Sequence, residues 1–193
     1  SIEEIVRSKV ANSLEELGTD YIDSVLLHFA YPQYYEEMWK ALVNLKNEGI
    51  VRYIGVSNFN VRELEVVSKI ETPEVNEIYI RPFGTKSDIV NYCESNNIQV
   101  MTYSPLAVAR GEKFNHPFIQ ELQSKYNKSR AQIILRWNVQ VGSIPLPKSS
   151  NLERLKDNFS VLDFSFTKEE MELLSDLNIN HQYPPVSKDC PGI

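Results

Sequence analysis

The sequence contains little cysteine and no long hydrophobic run, and it lacks the common glycine-rich phosphate motifs. Two cysteines among 193 residues are too few for a small scaffold held by disulfides. No apolar run approaches the roughly 18 residues that a membrane-spanning helix requires, and the first residues form a charged amphipathic pattern instead of a signal peptide. Neither a P-loop nor a Gly-x-Gly-x-x-Gly motif is present, which disfavours a classical dinucleotide fold. These absences favour a cytoplasmic globular protein.

Composition and charge narrow the function classes further. Hydrophobic residues make up 42% of the chain and charged residues 24%, as in folded globular domains, so intrinsic disorder is excluded as the main state. The chain has 20 Lys and Arg against 26 Asp and Glu, a net charge of -6. Because an acidic chain repels phosphate backbones, we do not expect it to bind nucleic acid. A local basic pocket for one small anion is still compatible with this charge.

Short apolar segments alternate with amphipathic helical patterns along the chain. Five segments predict strands that begin near residues 21, 51, 75, 98 and 143, the third of them running over Glu74–Ile80. Capping-box spacing predicts helix starts at Ser1, Asn60, Ser150 and Thr167. This alternation predicts an α/β fold with five parallel strands and flanking helices. Either a doubly wound open sheet or part of a (β/α)8 TIM barrel has this pattern.

Polar residues follow directly after these strands. In parallel α/β folds the carboxyl ends of the strands meet at one edge, so these residues predict one shared site. Three of them also have a structural explanation: His28 as a buried core histidine, Asn58 as a helix cap, and Tyr103 as a packing residue beneath the edge. The candidates in chain order are His28, Ser57, Asn58, Arg81, Tyr103, Ser104, Leu106, Lys148 and Ser149.

The segment after the fifth strand carries the most specific pattern. Lys148, Ser149 and Ser150 precede a predicted helix that contains Arg154 and Asn158. Two cations, two hydroxyls and a helix N-terminus thus fall within about two turns. This arrangement favours an anion, particularly a phosphate monoester. The structural alternative is a capped, charged surface helix.

Several motifs together resemble the aldo-keto reductase family. They are Leu17–His28, Gly49–Gly55, Gly55–Phe59, Tyr103–Leu106, and Pro147–Ser149 with Arg154 and Asn158, in the family's order and spacing. The resemblance extends from about Ile2 to Asn178. It implies a (β/α)8 barrel that reduces aldehydes or ketones with NADPH and without a metal ion.

The resemblance also implies roles for individual residues. His28 would be the catalytic histidine that orients the carbonyl oxygen of the substrate. Ser57 and Asn58 would hold the nicotinamide carboxamide, with Glu77 at the position that is normally glutamine. Tyr103 would stack on the nicotinamide ring. The remaining implied contacts are to the pyrophosphate (Ser104, Leu106), the 2′-phosphate (Lys148, Ser149, Arg154) and the adenine (Asn158).

The sequence departs from the family pattern in several ways. Glu77 adds a charge near the carboxamide, Arg81 stands where histidine is common, and Phe29–Ala30 replaces a tryptophan–proline pair. In the family, the catalytic tyrosine, lysine and aspartate lie on the first three barrel strands, ahead of the segments matched here. We therefore expect five of the eight strands and inefficient carbonyl reduction, because general acid catalysis typically contributes about 10²–10⁴-fold.

Two functions follow from this comparison. The first is an NADPH-dependent carbonyl oxidoreductase whose cofactor-binding part and active-site histidine lie in residues 1–178 of this chain. The alternative is a catalytically deficient truncated form that acts as an NADP-binding or protein-interaction module. Five strands leave open edges, so we expect pairing with a second copy or a complementing chain. Residues 179–193 are expected to form an extended tail, and no membrane partner is expected.

Overall fold

The computed structural model describes residues 1–106 and 115–179, in which strands and helices alternate. The strands are β1 (Ile22–Leu27), β2 (Val51–Ser57), β3 (Val75–Ile78), β4 (Gln99–Tyr103) and β5 (Ile144–Leu146). The helices are α1 (Ile2–Leu17), α2 (Tyr35–Asn47), α3 (Val61–Ser68), α4 (Ser87–Ser95), α5 (Pro117–Tyr126), α6 (Arg130–Gln140), α7 (Leu152–Phe159) and α8 (Lys168–Asp176). All five predicted strands and the α/β class are confirmed. From residue 180 onward, the predicted tail lies outside the described residues. The boundary between the barrel part and the tail at residue 178 stays a prediction.

The chain divides into two compact units. Unit 1 contains Ser1–Ile78 and Asn91–Gln99, and unit 2 contains Tyr79–Val90 and the described residues from Val100 onward. Every strand pairing within unit 1 (β1 with β2, β2 with β3) and within unit 2 (β4 with β5) is parallel, as predicted. In the described ranges, no helix is both long and apolar enough to cross a membrane.

Unit 1 packs helices α1 to α3 around the strands. Its fully buried side chains include Trp39, Leu42, Ile54, Leu64 and Val67. Burying side chains of this size provides the main driving force for folding.

Gly55 lies near the middle of β2, paired with Leu26 of β1 and Val75 of β3. A Cβ atom at this position would lie 2.5 Å from Leu26 Cδ2 and 2.7 Å from the Val75 carbonyl oxygen. Glycine is therefore required there by the packing, since both distances are shorter than any normal contact of a Cβ atom.

Unit 2 is organised around α6. This helix buries Ile133, Ile134 and Trp137 and contacts α5, α7, α8 and β5. At its start, the side chain of Gln132 completes a capping box with Ser129. The side-chain amide nitrogen of Gln132 donates two further hydrogen bonds. One goes to the Asp157 carbonyl oxygen at 3.1 Å and the other to Ser160 Oγ at 2.6 Å. Gln132 thereby fixes the C-terminal part of α7 against α6.

Three of the four predicted capping boxes form as expected. They are Ser1 with Glu4, Asn60 with Glu63, and Thr167 with Glu170. The prediction that Ser150 caps α7 is wrong. Asn151 is the cap, and its side-chain oxygen accepts from the Arg154 N–H at 3.1 Å. Asn caps a helix as well as Ser does. Asn151 also lies three residues before Arg154, at the spacing that such a cap requires.

The prediction that β3 extends to Ile80 is also wrong. The strand ends at Ile78, although Tyr79 and Ile80 are buried. Directly afterwards the chain folds back in a tight turn, in which the Arg81 N–H donates to the Gly84 carbonyl oxygen and the Gly84 N–H donates to the Arg81 carbonyl oxygen. The apolar run therefore continues past the strand because the turn that follows it is buried too.

Candidate functional site

In unit 1, four of the predicted site residues lie together at the carboxyl ends of β1, β2 and β3. Ser57 Oγ and the Asn58 N–H both donate to the Glu77 carbonyl oxygen, each at 3.0 Å. The Asn58 side-chain amide donates to Ser57 Oγ at 3.0 Å and to the His28 carbonyl oxygen at 3.3 Å. Asn58 adopts a φ of 61°, a left-handed conformation that asparagine tolerates better than most residues. This residue thus connects the ends of the strands around it.

His28 is exposed to solvent, so its interpretation as a buried core histidine is wrong. The residue follows the buried Leu27 at the point where β1 ends, and its ring lies 4.5 Å from the Phe29 ring. An exposed imidazole at a strand end can donate a hydrogen bond to a ligand oxygen.

Asn58 is not a helix cap, which is the second structural alternative that the structure contradicts. The cap of α3 is Asn60, whose side chain accepts from the Glu63 N–H at 3.1 Å. The two asparagines lie only two residues apart, so the sequence pattern alone does not separate their tasks. Asn58 belongs to the strand ends and Asn60 to the helix.

Glu77 carries a partly buried carboxyl group next to these residues. Burial raises the pKa of Glu77 above its ordinary value, and the nearby His28 lowers it in part. A carboxyl group with a raised pKa close to an imidazole makes the charge of this cluster sensitive to pH.

In unit 2, Tyr103 ends β4 and is half-buried. Its ring stacks on that of Tyr79, with centroids 5.6 Å apart and planes inclined by 29°. Tyr103 therefore packs against a neighbour, as the structural alternative predicts, while part of the side chain stays exposed. Arg81, the candidate that follows β3, is fully buried. It is thus out of reach of a ligand in solvent.

Next to Tyr103, unit 2 contains an open cleft of about 750 Å³. Six predicted site residues line it, together with residues of the α6 and α7 starts. The lining residues are Ser104, Pro105, Leu106, Ser129, Ala131, Pro147, Lys148, Ser149, Ser150, Arg154, Asp157 and Asn158. Residues that are up to 54 positions apart in the chain thus form one wall.

The cleft contains two cations that no acidic side chain neutralises. Neither Lys148 nor Arg154 forms an ion pair within the described part of the chain, and both are exposed. By contrast, Lys156 on the same helix pairs with Glu153 at 2.9 Å. Unpaired cations at a helix N-terminus attract an anion. Asp157 opposes them with one negative charge in the same wall.

Ser149 has a local role in addition to lining the cleft. Its hydroxyl accepts from the Asn151 N–H at 3.1 Å and donates to the Asn151 carbonyl oxygen at 3.3 Å. These bonds shape the turn that leads into α7. The side chain holds the helix start in place next to Lys148.

Sequence reasoning missed part of the site. Ser129 and Ala131, at the start of α6, line the cleft, and so does Asp157. The capping-box spacing of Ser129 and Gln132 indicates where the helix starts, but it does not indicate that this start lies beside the cleft. The contact of Tyr79 with Tyr103 was also missed, because Tyr79 follows β3 whereas Tyr103 ends β4.

Comparison with known proteins supports a single family. The model of the aldo/keto reductase family matches residues 1–179. An uncharacterized oxidoreductase of Bacillus subtilis, YtbE, is 40% identical over 90% of this chain, and the glyoxal reductase of the same organism is 36% identical over 90%. The crystal structure of the Bombyx mori aldo-keto reductase AKR2E4 in complex with NADP superposes with a TM-score of 0.87 at 34% identity, covering 98% of this chain and 68% of that one.

The chain spans about 62% of the length of the curated relatives it matches. The structural neighbours are (β/α)8 barrels, of which the five parallel strands and their helices form a part. The sequence identity, the family model and the structural likeness agree over nearly all of the described residues. This chain belongs to the aldo/keto reductase family.

Proposed function

We propose that this chain carries the cofactor-binding part of an NADPH-dependent oxidoreductase that acts on small aldehydes or ketones. The observation that supports this most is the cleft of unit 2, where two unpaired cations lie beside a helix N-terminus in an otherwise acidic protein. The NADP found in the Bombyx mori relative and the name glyoxal reductase of a Bacillus subtilis relative agree with this cofactor and substrate class.

The start of α7 is proposed to bind the 2′-phosphate of the cofactor. Lys148 and Arg154 supply positive charge, and Ser149 shapes the turn between them. A phosphate monoester is the cofactor group that best matches this charge, since hydrogen bonds between cations and phosphate oxygens are strong. Asn158, one turn later on the same wall, is proposed to contact the adenine. Ser104 and Leu106 are proposed to line the pyrophosphate.

The polar residues of unit 1 are proposed to serve the reacting end. The cofactor, when bound, supplies a hydride to the carbonyl carbon of the substrate. Ser57, Asn58 and Glu77 are assigned to the nicotinamide carboxamide, and the hydrogen bonds among their backbone and side-chain atoms keep them in place. The exposed imidazole of His28 is assigned to the substrate, where it donates a hydrogen bond to the carbonyl oxygen and so orients it.

Cofactor preference gives the direct test of this proposal. The 193-residue chain is expected to bind NADPH at least about tenfold more tightly than NADH, because only NADPH carries the 2′-phosphate that pairs with Lys148 and Arg154. Fluorescence titration of the two reduced cofactors measures the ratio. Competition by 2′,5′-ADP, but not by 5′-AMP, is expected as well. Equal affinity for NADPH and NADH would contradict the assignment of the 2′-phosphate.

A second candidate function, self-association, is favoured by an apolar groove beside β5. The groove has a volume of about 440 Å³ and is lined mainly by the apolar side chains of Leu146, Leu155 and Phe159 with two prolines. Phe159 is 81% exposed, which is unusual for a phenylalanine. In the described residues, β5 pairs with β4 along one edge only. Such an edge beside apolar side chains suits the corresponding strand of a second copy.

We expect the chain to form dimers or larger species at micromolar concentrations, because association would cover the free edge of β5 and the apolar groove beside it at the same time. Sedimentation velocity measures the distribution. The Phe159→Ser variant is expected to shift it toward the monomer, whereas Tyr53→Ser, which removes another exposed aromatic ring, this one in unit 1, serves as the control. A wild-type chain that sediments as a compact monomer at all concentrations would refute self-association.

A further inference from the structure

Arg81 is the largest charged side chain in the buried part of unit 2. The residue is fully buried, and its guanidinium carbon lies 3.9 Å from the centre of the Tyr79 ring. Burial lowers the pKa of Arg81 to about 10, so the group still carries its charge at neutral pH. A cation at this distance from an aromatic face is attracted by the ring. Because no part of Arg81 is exposed, its task cannot be direct contact with a solvent-borne ligand.

The Tyr79 ring also contacts Tyr103, a residue of the candidate site. Tyr79 is 3% exposed, and it stacks on Tyr103, which is half-buried. Arg81 and Tyr103 thus both contact the Tyr79 ring, and the three side chains form one cluster that reaches from the interior of unit 2 to the residue that precedes the cleft. Offset stacking of aromatic rings restricts how they tilt.

The main chain holds the inner end of the cluster. Arg81 and Gly84 exchange two backbone hydrogen bonds, of 3.2 and 2.9 Å. The same turn is connected to the segment after α8, since the Ile179 N–H donates to the Phe83 carbonyl oxygen at 3.2 Å. Arg81 is thus attached to a fixed turn, and the cluster has a rigid base.

We propose that Arg81 is a positioning residue that sets the plane of the Tyr103 ring through Tyr79 and thereby strengthens binding of the nicotinamide end of the cofactor. This inference rests on the proposed function, in which Tyr103 stacks on the nicotinamide. It assigns to a buried arginine, at a position where the family commonly has histidine, an effect on the cofactor that it does not touch.

The test compares two ligands that share the 2′-phosphate end but differ in the nicotinamide. In Arg81→Met the affinity for NADPH is expected to fall by about five- to tenfold, the range of single cation–π and aromatic contacts, while that for 2′,5′-ADP stays within about twofold of the wild type. Induced circular dichroism of the bound reduced nicotinamide, measured at saturation, is expected to fall by about half because the ring is less firmly held. Arg81→Lys, which keeps the charge, should restore most of both signals.

Each outcome supports or overturns the proposal. Loss of 2′,5′-ADP binding in parallel with NADPH binding would show a general loss of structure and would overturn the positioning role. Unchanged NADPH affinity and dichroism in a folded Arg81→Met would overturn it as well. If Arg81→Met does not fold, Tyr79→Leu removes the middle ring instead, and the same difference between the two ligands is expected. Failure of the wild-type chain to bind either ligand would reject the proposed function itself.

Discussion

Replacing Lys148 and Arg154 together by methionine is expected to weaken NADPH binding by about 10²–10⁴-fold and to leave NADH binding within about twofold of the wild type. Each charge-assisted hydrogen bond to a phosphate contributes about 1.5–3 kcal/mol, and two such contacts are removed. Methionine keeps most of the length of both side chains, so the change is mainly one of charge. Fluorescence titration of both reduced cofactors measures the effect.

The same helix offers a matched control for this variant. Lys156→Met removes a cation from α7 that already pairs with Glu153 and does not line the cleft, so NADPH affinity should change by less than about twofold. Asp157→Asn removes the opposing charge of the cleft and should tighten NADPH binding. Raising the salt concentration should weaken the wild type more than the double variant, because screening acts on the charges that the variant lacks. A double variant that keeps its preference for NADPH would disprove the assignment of the cations.

Glu77→Gln is expected to change the preference between the two oxidation states of the cofactor by about tenfold. The nicotinamide ring is a cation in NADP⁺ and neutral in NADPH, so a carboxylate beside it favours NADP⁺. Two unit charges about 6 Å apart interact by about 1–3 kcal/mol at the effective dielectric of a partly exposed site, and about 1.4 kcal/mol corresponds to a factor of ten. The variant should therefore lose affinity for NADP⁺ relative to NADPH.

The pH dependence of this ratio follows from the raised pKa of Glu77. Above that pKa the group is a carboxylate and the preference for NADP⁺ is fully present. As the pH falls through the raised pKa, the group takes up a proton and the preference is lost. The wild-type ratio of the two dissociation constants should thus change as the pH is lowered from neutral into the acidic range, whereas that of Glu77→Gln should change less.

Two comparisons isolate the contribution of Glu77. His28 is retained in the variant, so its contribution is common to both proteins. Glu65→Gln makes the same change in net charge at an exposed position on α3, and it should leave the ratio unchanged. Identical ratios in wild type and Glu77→Gln across the pH range would show that the carboxylate does not face the nicotinamide.

The order of elements was predictable because local patterns determine it. Apolar runs of strand length, separated by helical periodicity, indicate the five strands, and a capping residue followed by Glu indicates three of the helix starts. Errors arose where two residues satisfy the same local rule. Asn151 takes the cap that Ser150 was expected to form, and the buried turn at Arg81–Gly84 extends an apolar run beyond its strand.

The candidate site was predictable only in part. Lys148 and Arg154 lie close together in the chain, and the pattern that they form with Ser149 indicates an anion without knowledge of the fold. Contacts between distant segments leave no such local signal. The stack of Tyr79 on Tyr103 is one of these, and whether His28 is buried or exposed also depends on how its unit folds.

The hydrogen bonds of the Gln132 side chain couple the stability of the start of α6 to that of the end of α7. A substitution at Ser129 alters the capping partner of Gln132, and one at Ser160 removes the group that its amide nitrogen reaches on the other side. Effects on stability that pass through a shared partner are not additive, and couplings of about 0.5–3 kcal/mol are typical. Variants at these two serines, although 31 positions apart, are thus expected to be accepted or rejected in combination, and positions 129 and 160 should co-vary among related sequences.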